Sequence, residues 1–136
     1  MRIPALPLMA SVIASCAPVP ATQNPAQTAQ QQDRLQSLLA GRSAGQPVSC
    51  LSSYRTTNQI NISDNIILFR DGATIYRTDP PGGCPGLASG RYALLTRNPT
   101  SQLCRGDLVQ LIDTQSGLIA GTCTFSDFVP YSRRSG

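Results

Sequence analysis

Ile66-Ile-Leu-Phe-Arg-Asp-Gly-Ala-Thr-Ile-Tyr-Arg77 decides the fold. It sets a run of strand-favouring residues on each side of Asp71-Gly72, a pair that accepts the positive backbone angles of a tight hairpin turn. A two-residue turn there pairs Leu68 with Ile75 on one face and Ile67 with Tyr76 on the other. A lone hairpin is marginal in water, so this one has to belong to a larger sheet. Apolar residues on both of its faces imply that one side is covered by more than water, by a closing barrel or by a helix carrying Leu35.

Working outward, the segment from Pro47 onward alternates short apolar runs with clusters of Gly, Pro, Asn and Ser. Strands are predicted at 59–62, 66–70, 74–78, 92–97, 108–113 and 118–124, with a second turn at Thr114-Gln-Ser-Gly117. The expected fold class is all-β: a small disulfide-bonded antiparallel meander or barrel of about six strands, preceded by a tether and a short helix. The domain spans 47–131, with a tail at 132–136. The chain has no Trp, three Phe and four Tyr, a thin supply for a core, and small exported domains compensate with disulfides. Cys50, Cys84, Cys104 and Cys123 allow three pairings. Cys50 with Cys84 and Cys104 with Cys123 is the expected one, because each bridge then encloses a hairpin whose ends converge. No Cys-x-x-Cys occurs and the spacings are wide, which argues against a redox or metal role.

Every charged residue is Arg or Asp, eleven and seven respectively, with no Lys, Glu or His. Lacking His, the chain lacks both the readiest proton shuttle near neutral pH and the commonest metal ligand. The expectation is a protein that is not an enzyme and holds no cofactor or metal.

Residues 1–15 carry one positive charge at Arg2, a short apolar run and then small residues, the layout of a secretory signal peptide and too short and Pro-broken to span a bilayer. Ile13-Ala14-Ser15-Cys16 resembles the lipobox of bacterial lipoproteins, in which the Cys is lipidated and becomes the mature N-terminus. The resemblance implies lipidation of Cys16 and a membrane anchor of several acyl chains, each buried methylene contributing about 0.8 kcal/mol. It also accounts for an odd cysteine, since five cannot all pair. Ala17 follows where Asp would favour inner-membrane retention, so the outer membrane, facing the periplasm, is the implied address.

Residues 16–46 read as a lipid-anchored tether. Up to Gln32 they are polar, uncharged and without apolar periodicity. A short helix is predicted at 33–40, where Leu35, Leu38 and Leu39 share a face and Gly41 is a natural stop. So short a helix needs packing, and it is expected to dock on its own sheet.

The ordered elements Gly45-Gln-Pro47-Val48-Ser-Cys50-Leu51, Cys84-Pro-Gly86-Leu87, Leu103-Cys104-Arg-Gly106-Asp107 and Gly121-Thr-Cys123 together resemble a family of small exported proteobacterial proteins, over nearly all of 41–128. Phe125-Ser126-Asp127-Phe128 departs from that family's pattern, which tends to have Leu-Gly before the last Phe. The resemblance implies export and a small β domain, and no mechanism.

Three local patterns have bland explanations. Arg105-Gly106-Asp107 spells an adhesion tripeptide, but Gly-Asp is an ordinary turn into a strand. Asp107 and Asp113 flank one strand about 20 Å apart at 3.3 Å per residue, too far for joint acid–base work. Gly82-Gly83-Cys84-Pro85-Gly86 is a Gly-rich loop with no helix and Lys after it, so no nucleotide is expected there and no nucleic-acid partner. Arg91, Arg97, Arg105, Arg133 and Arg134 are read as scattered surface charge, or else as a face toward anionic headgroups. The expected role is a non-catalytic envelope lipoprotein with a structural or interaction function, a membrane partner through its anchor, and a protein partner in the envelope. The alternative is a binding or inhibitor module resembling lysozyme-inhibiting lipoproteins in plan only, which its positive charge disfavours against basic lysozymes.

Overall fold

A computed structural model describes residues 24–135. The signal segment, Cys16 and the tether up to residue 23 lie outside the described residues. The all-β, disulfide-bonded antiparallel architecture expected from the sequence is present, with one helix ahead of it.

The helix α1 (Pro25–Leu39) is longer than expected, reaching eight residues further back than 33. Asn24 caps it, accepting from the Ala26 N–H at 3.1 Å, and Pro25 occupies the first turn, where its missing N–H costs nothing. The glutamines that lack apolar periodicity thus form the exposed first half of a helix that Leu35 anchors. This revises the tether, which is helical from residue 25.

Ten strands follow: β1 (Arg42–Ala44), β2 (Cys50–Ser52), β3 (Gln59–Ser63), β4 (Ile66–Asp71), β5 (Thr74–Thr78), β6 (Tyr92–Thr96), β7 (Gln102–Cys104), β8 (Leu108–Asp113), β9 (Ile119–Thr124) and β10 (Val129–Arg133). They form a five-stranded sheet of order β1-β10-β5-β4-β3, a pair β2-β7 and a three-stranded sheet β6-β8-β9. The sheet therefore starts before residue 47, and the expected tail at 132–136 is in part strand. β10 carries Pro130 and still lies between two strands. The Pro130 carbonyl points away from β5 and accepts from the Gly45 N–H at 2.7 Å, so the missing N–H faces that side and costs β5 no bond.

The central hairpin forms with its register corrected. Gly72 has φ +57° and Ala73 has no positive φ, so the turn is Gly72-Ala73 with glycine in the first central position, the II′ requirement, rather than Asp71-Gly72. Leu68 stands opposite Arg77 and Phe69 opposite Tyr76. The expected partners Leu68 and Ile75, and Ile67 and Tyr76, become diagonal neighbours on the same faces, so the assignment of faces stands.

Both faces are covered. Inward, Ile67, Phe69 and Tyr76 join Leu51, Leu103, Val109, Leu111, Phe125 and Phe128 in the main core, shared by all three sheets. The three phenylalanines meet there with ring centroids 5.8 to 6.1 Å apart in tilted and edge-on arrangements. Outward, Leu68, Ile75 and Ile62 pack under Leu35 of α1, with Leu38 and Leu39 at the margin.

The disulfide pairing differs from the expected one: Cys50 bonds Cys104 and Cys84 bonds Cys123. Expecting each bridge to enclose one hairpin overlooked β2 and β7, three residues each, which pair antiparallel and place Cys50 directly opposite Cys104. The second bridge joins the loop after β5 to β9, across the core. The first is at the surface, whereas Cys84 and Cys123 are buried.

Candidate functional site

A cleft of about 420 Å³ opens where the end of β5 meets the segment leading into β10. Phe125 and Phe128 create it. Three residues apart, both rings turn into the core, which forces Ser126-Asp127 outward to form part of the cleft wall. Phe125-Ser126-Asp127-Phe128 is therefore the corner that shapes the cleft. Arg77, Asp79, Pro47, Val129 and Tyr131 complete the lining.

Its charged groups and the Ser126 hydroxyl already have partners. Arg77 donates to both oxygens of Asp79, Nε to Oδ1 and Nη2 to Oδ2, each at 2.8 Å. That pair lifts the arginine above its usual range despite its partial burial. Asp127 accepts from Arg105 Nη1 at 3.2 Å. The Ser126 hydroxyl lies 3.1 Å from the Thr78 hydroxyl and accepts from the Asp79 N–H at 3.1 Å. No imidazole, amine or carboxylate is bonded to Ser126 Oγ, so nothing here activates it as a nucleophile. The arrangement can present charge to a ligand; it does not assemble an acid, a base and a nucleophile.

The residues singled out in the sequence serve as turns and braces. In Arg105-Gly106-Asp107 the glycine has φ +85°, and the Asp107 carboxylate turns inward to accept from the Cys104 N–H and from Asn98 Nδ2, both at 2.7 Å. Asp113, at the other end of β8, is buried. It accepts from Arg91 Nε at 2.8 Å and from the N–H groups of Gln115 and Ser116, which shapes the turn into β9. Arg91 first, then the Gln115 N–H, hold its carboxyl below the usual carboxylate range. The two aspartates occupy opposite ends of the strand and share no partner.

The Gly-rich loop serves the buried bridge. The Asp64 carboxylate accepts from the N–H groups of Gly86 and Ala88, and the Asp64 carbonyl from that of Cys84 at 2.7 Å, which holds Cys84 toward Cys123. Gly86, at φ +86°, lies against the Tyr92 ring, where a Cβ would come within 2.6 Å. Among the described residues no three Cys, Asp, Glu or His groups gather as a metal set, and no helix is long and apolar enough to cross a membrane.

Sequence reasoning missed Arg77, Asp79 and Ser126, because residues 48 apart in the chain build that wall and no local spacing announces it. It also missed the Arg55 cluster, in which the guanidinium lies over the Tyr54 and Tyr76 rings and donates to the Tyr76 hydroxyl at 2.9 Å. No family model matches the chain, nor does any curated protein or solved structure. The two disulfides are the mark of a non-cytoplasmic protein.

Proposed function

We propose that this protein is a bacterial envelope lipoprotein, held to the outer membrane by acyl chains on Cys16 and carrying a disulfide-bonded β domain with a non-catalytic structural or interaction role. The observation that supports the reading is the pairing of Cys50 with Cys104 and Cys84 with Cys123, which makes Cys16 the one cysteine of five that these two bridges do not use. A leftover thiol in an oxidising compartment invites mispairing, and thioether formation at the lipobox removes it. The cleft supports the non-catalytic part, because each of its carboxylates is matched by an arginine and the Ser126 hydroxyl by neutral partners. In this reading residues 17–23 and the exposed start of α1 space the domain from the bilayer.

The test is metabolic labelling with a fatty-acid probe. The wild-type chain is expected to take up label and Cys16→Ala to take up none. Label on both chains, or on neither, rejects the lipoprotein assignment.

A further inference from the structure

The fold has two outward sheet faces and covers only one of them. On the five-stranded sheet Leu68 and Ile75 are fully buried beneath α1. On the three-stranded sheet Val109, Leu111 and Cys123 face the core, and the outward rows between them carry Leu95, Leu108 and Ile119, which are 39, 61 and 56% exposed. The charges exposed at the ends of these rows are arginines. At one end Arg91 holds the buried Asp113 and keeps 54% of its own side chain exposed. At the other, Arg97 stands exposed beside Leu108 and enters none of the ion pairs among the described residues, while Asp107 is turned inward to the Cys104 N–H.

We infer that this face rests on a bilayer of anionic lipid, with the two arginines among the phosphates and Leu95, Leu108 and Ile119 at the boundary between headgroups and acyl chains. Charge selects that occupant. A guanidinium matches a phosphate in shape and sign, and the outward rows hold no carboxylate to repel one. Depth agrees with it, because Gln110 and Thr122 share the middle row with Leu95, and the wet headgroup layer leaves an amide and a hydroxyl their partners. Area separates lipid from protein. Strands about 4.8 Å apart rising about 3.3 Å per residue give a face of roughly 300 Å² in plan, whereas a protein interface takes about 800 Å² from each partner. A fluid bilayer needs no matching surface, and a few inserted side chains with nearby charge suffice to hold a domain against it.

The inference deepens the membrane part of the function proposed above and rests on that reading for bringing a bilayer close. The anchor permits the orientation. Seven residues, 17–23, lie between Cys16 and the helix cap Asn24, an extended reach of about 25 Å. Packed layers about 10 Å apart set the axis of α1 about 20 Å above the bare face. The lipid end can therefore reach the bilayer while the bare face lies on it and the helix points away.

The experiment is flotation of residues 17–136, which hold every described element and both disulfides, so that neither an acyl group nor the apolar leader carries the chain to lipid. The chain is expected to float with vesicles of equal parts phosphatidylglycerol and phosphatidylcholine and to stay behind with phosphatidylcholine alone. Arg97→Gln should weaken partition about fivefold, and Leu108→Ser with Ile119→Ser about tenfold or more. Arg134→Gln removes the same charge away from the face and should leave partition within about twofold. The chain has no Trp, so an introduced indole reports its own surroundings. Emission from Leu108→Trp should shift to the blue on the anionic vesicles, and emission from Gln36→Trp, at an exposed site on α1, should not. These two variants bind as folded chains, which guards against reading a misfolded serine variant as a lost contact.

A parent chain that ignores both vesicles overturns the inference, and so does equal flotation with the neutral ones. Equal losses for Arg97→Gln and Arg134→Gln, or equal shifts at positions 36 and 108, overturn it in favour of unspecific charge. Failure to float, with Leu108 and Ile119 shielded in concentrated lipid-free protein, overturns it in favour of a second copy. Acylation is read separately on the native chain. A labelled protein whose 17–136 segment does not float rejects the bilayer face and leaves the anchor standing; flotation without label does the reverse.

Discussion

The outward face of β4 and β5 and the outward face of β6, β8 and β9 start from similar sequence and end in opposite situations. Ile66-Ile-Leu-Phe and Leu108-Val-Gln-Leu-Ile both place apolar side chains on the two sides of a strand. Under α1, Leu68 and Ile75 lose all contact with water, whereas Leu108 and Ile119 keep more than half of their exposure. Fully burying one such side chain contributes about 1.5 to 3 kcal/mol. The described chain has one helix to spend on two faces, so the difference between them lies in what each is given to pack against, and strand composition alone does not reveal it.

The largest expected effect sharpens the comparison by testing what joins the two layers. The bridges span 54 and 39 residues, so loop entropy assigns each a similar contribution, about 4 kcal/mol. Cys84→Ser with Cys123→Ser also empties core positions, and it should lower stability by about 5 kcal/mol. Cys50→Ser with Cys104→Ser, at the surface, should lose less, about 2 to 4 kcal/mol. Denaturant unfolding of the two variants measures both, and equal losses would mean that burial of the second bridge adds nothing.

Point substitutions then probe the faces directly. Leu35→Ala and Leu68→Ala each remove a buried partner from the helix contact, with an expected loss of about 2 to 4 kcal/mol. Leu108→Ala should change the stability of the protein by no more than about 0.5 kcal/mol. A large loss at Leu108, or none at Leu35, would dissolve the distinction between the faces.

The smallest effect concerns the end of the bare sheet. Asp113 titrates lower in the folded protein than in the unfolded chain, where a carboxyl has a pKa of about 3.9. Its contribution to stability is therefore present above that value and lost as the pH falls through the folded value. Melting curves should show Asp113→Asn less stable than wild type at neutral pH, the gap closing in acid below about pH 4. A constant gap across that range would separate Asp113's role from its charge.

Much of the fold was legible because local chemistry specifies it. Asp71-Gly72 marked the hairpin, Thr114-Gln-Ser-Gly117 the second turn, and the hairpin pairing put Ile67 and Leu68 on opposite faces. Where sequence reading stopped, long-range pairing had decided the outcome. β1, β2 and β7 are three residues each, too short to show a period, and β10 carries a proline that ordinarily disqualifies a strand. Missing β2 and β7 led directly to the wrong disulfide pairing, since their register is what sets Cys50 against Cys104. The register slip at Gly72 came from which of two positions in the turn the glycine takes. The cleft was illegible for the same reason as the bridges: Arg77, Asp79 and Ser126 become neighbours only once β10 inserts beside β5.

Hydroxyl-radical footprinting of the full chain in lipid-free solution, read residue by residue, tests the contrast between the faces most directly. Leu35, Leu68 and Ile75 should be protected, because the chain's own helix covers that face. Leu95, Leu108 and Ile119 should be labelled, because no described element covers them. Labelling of Leu68 and Ile75 to the same degree as Leu108, or protection of Leu108 and Ile119, would contradict the account.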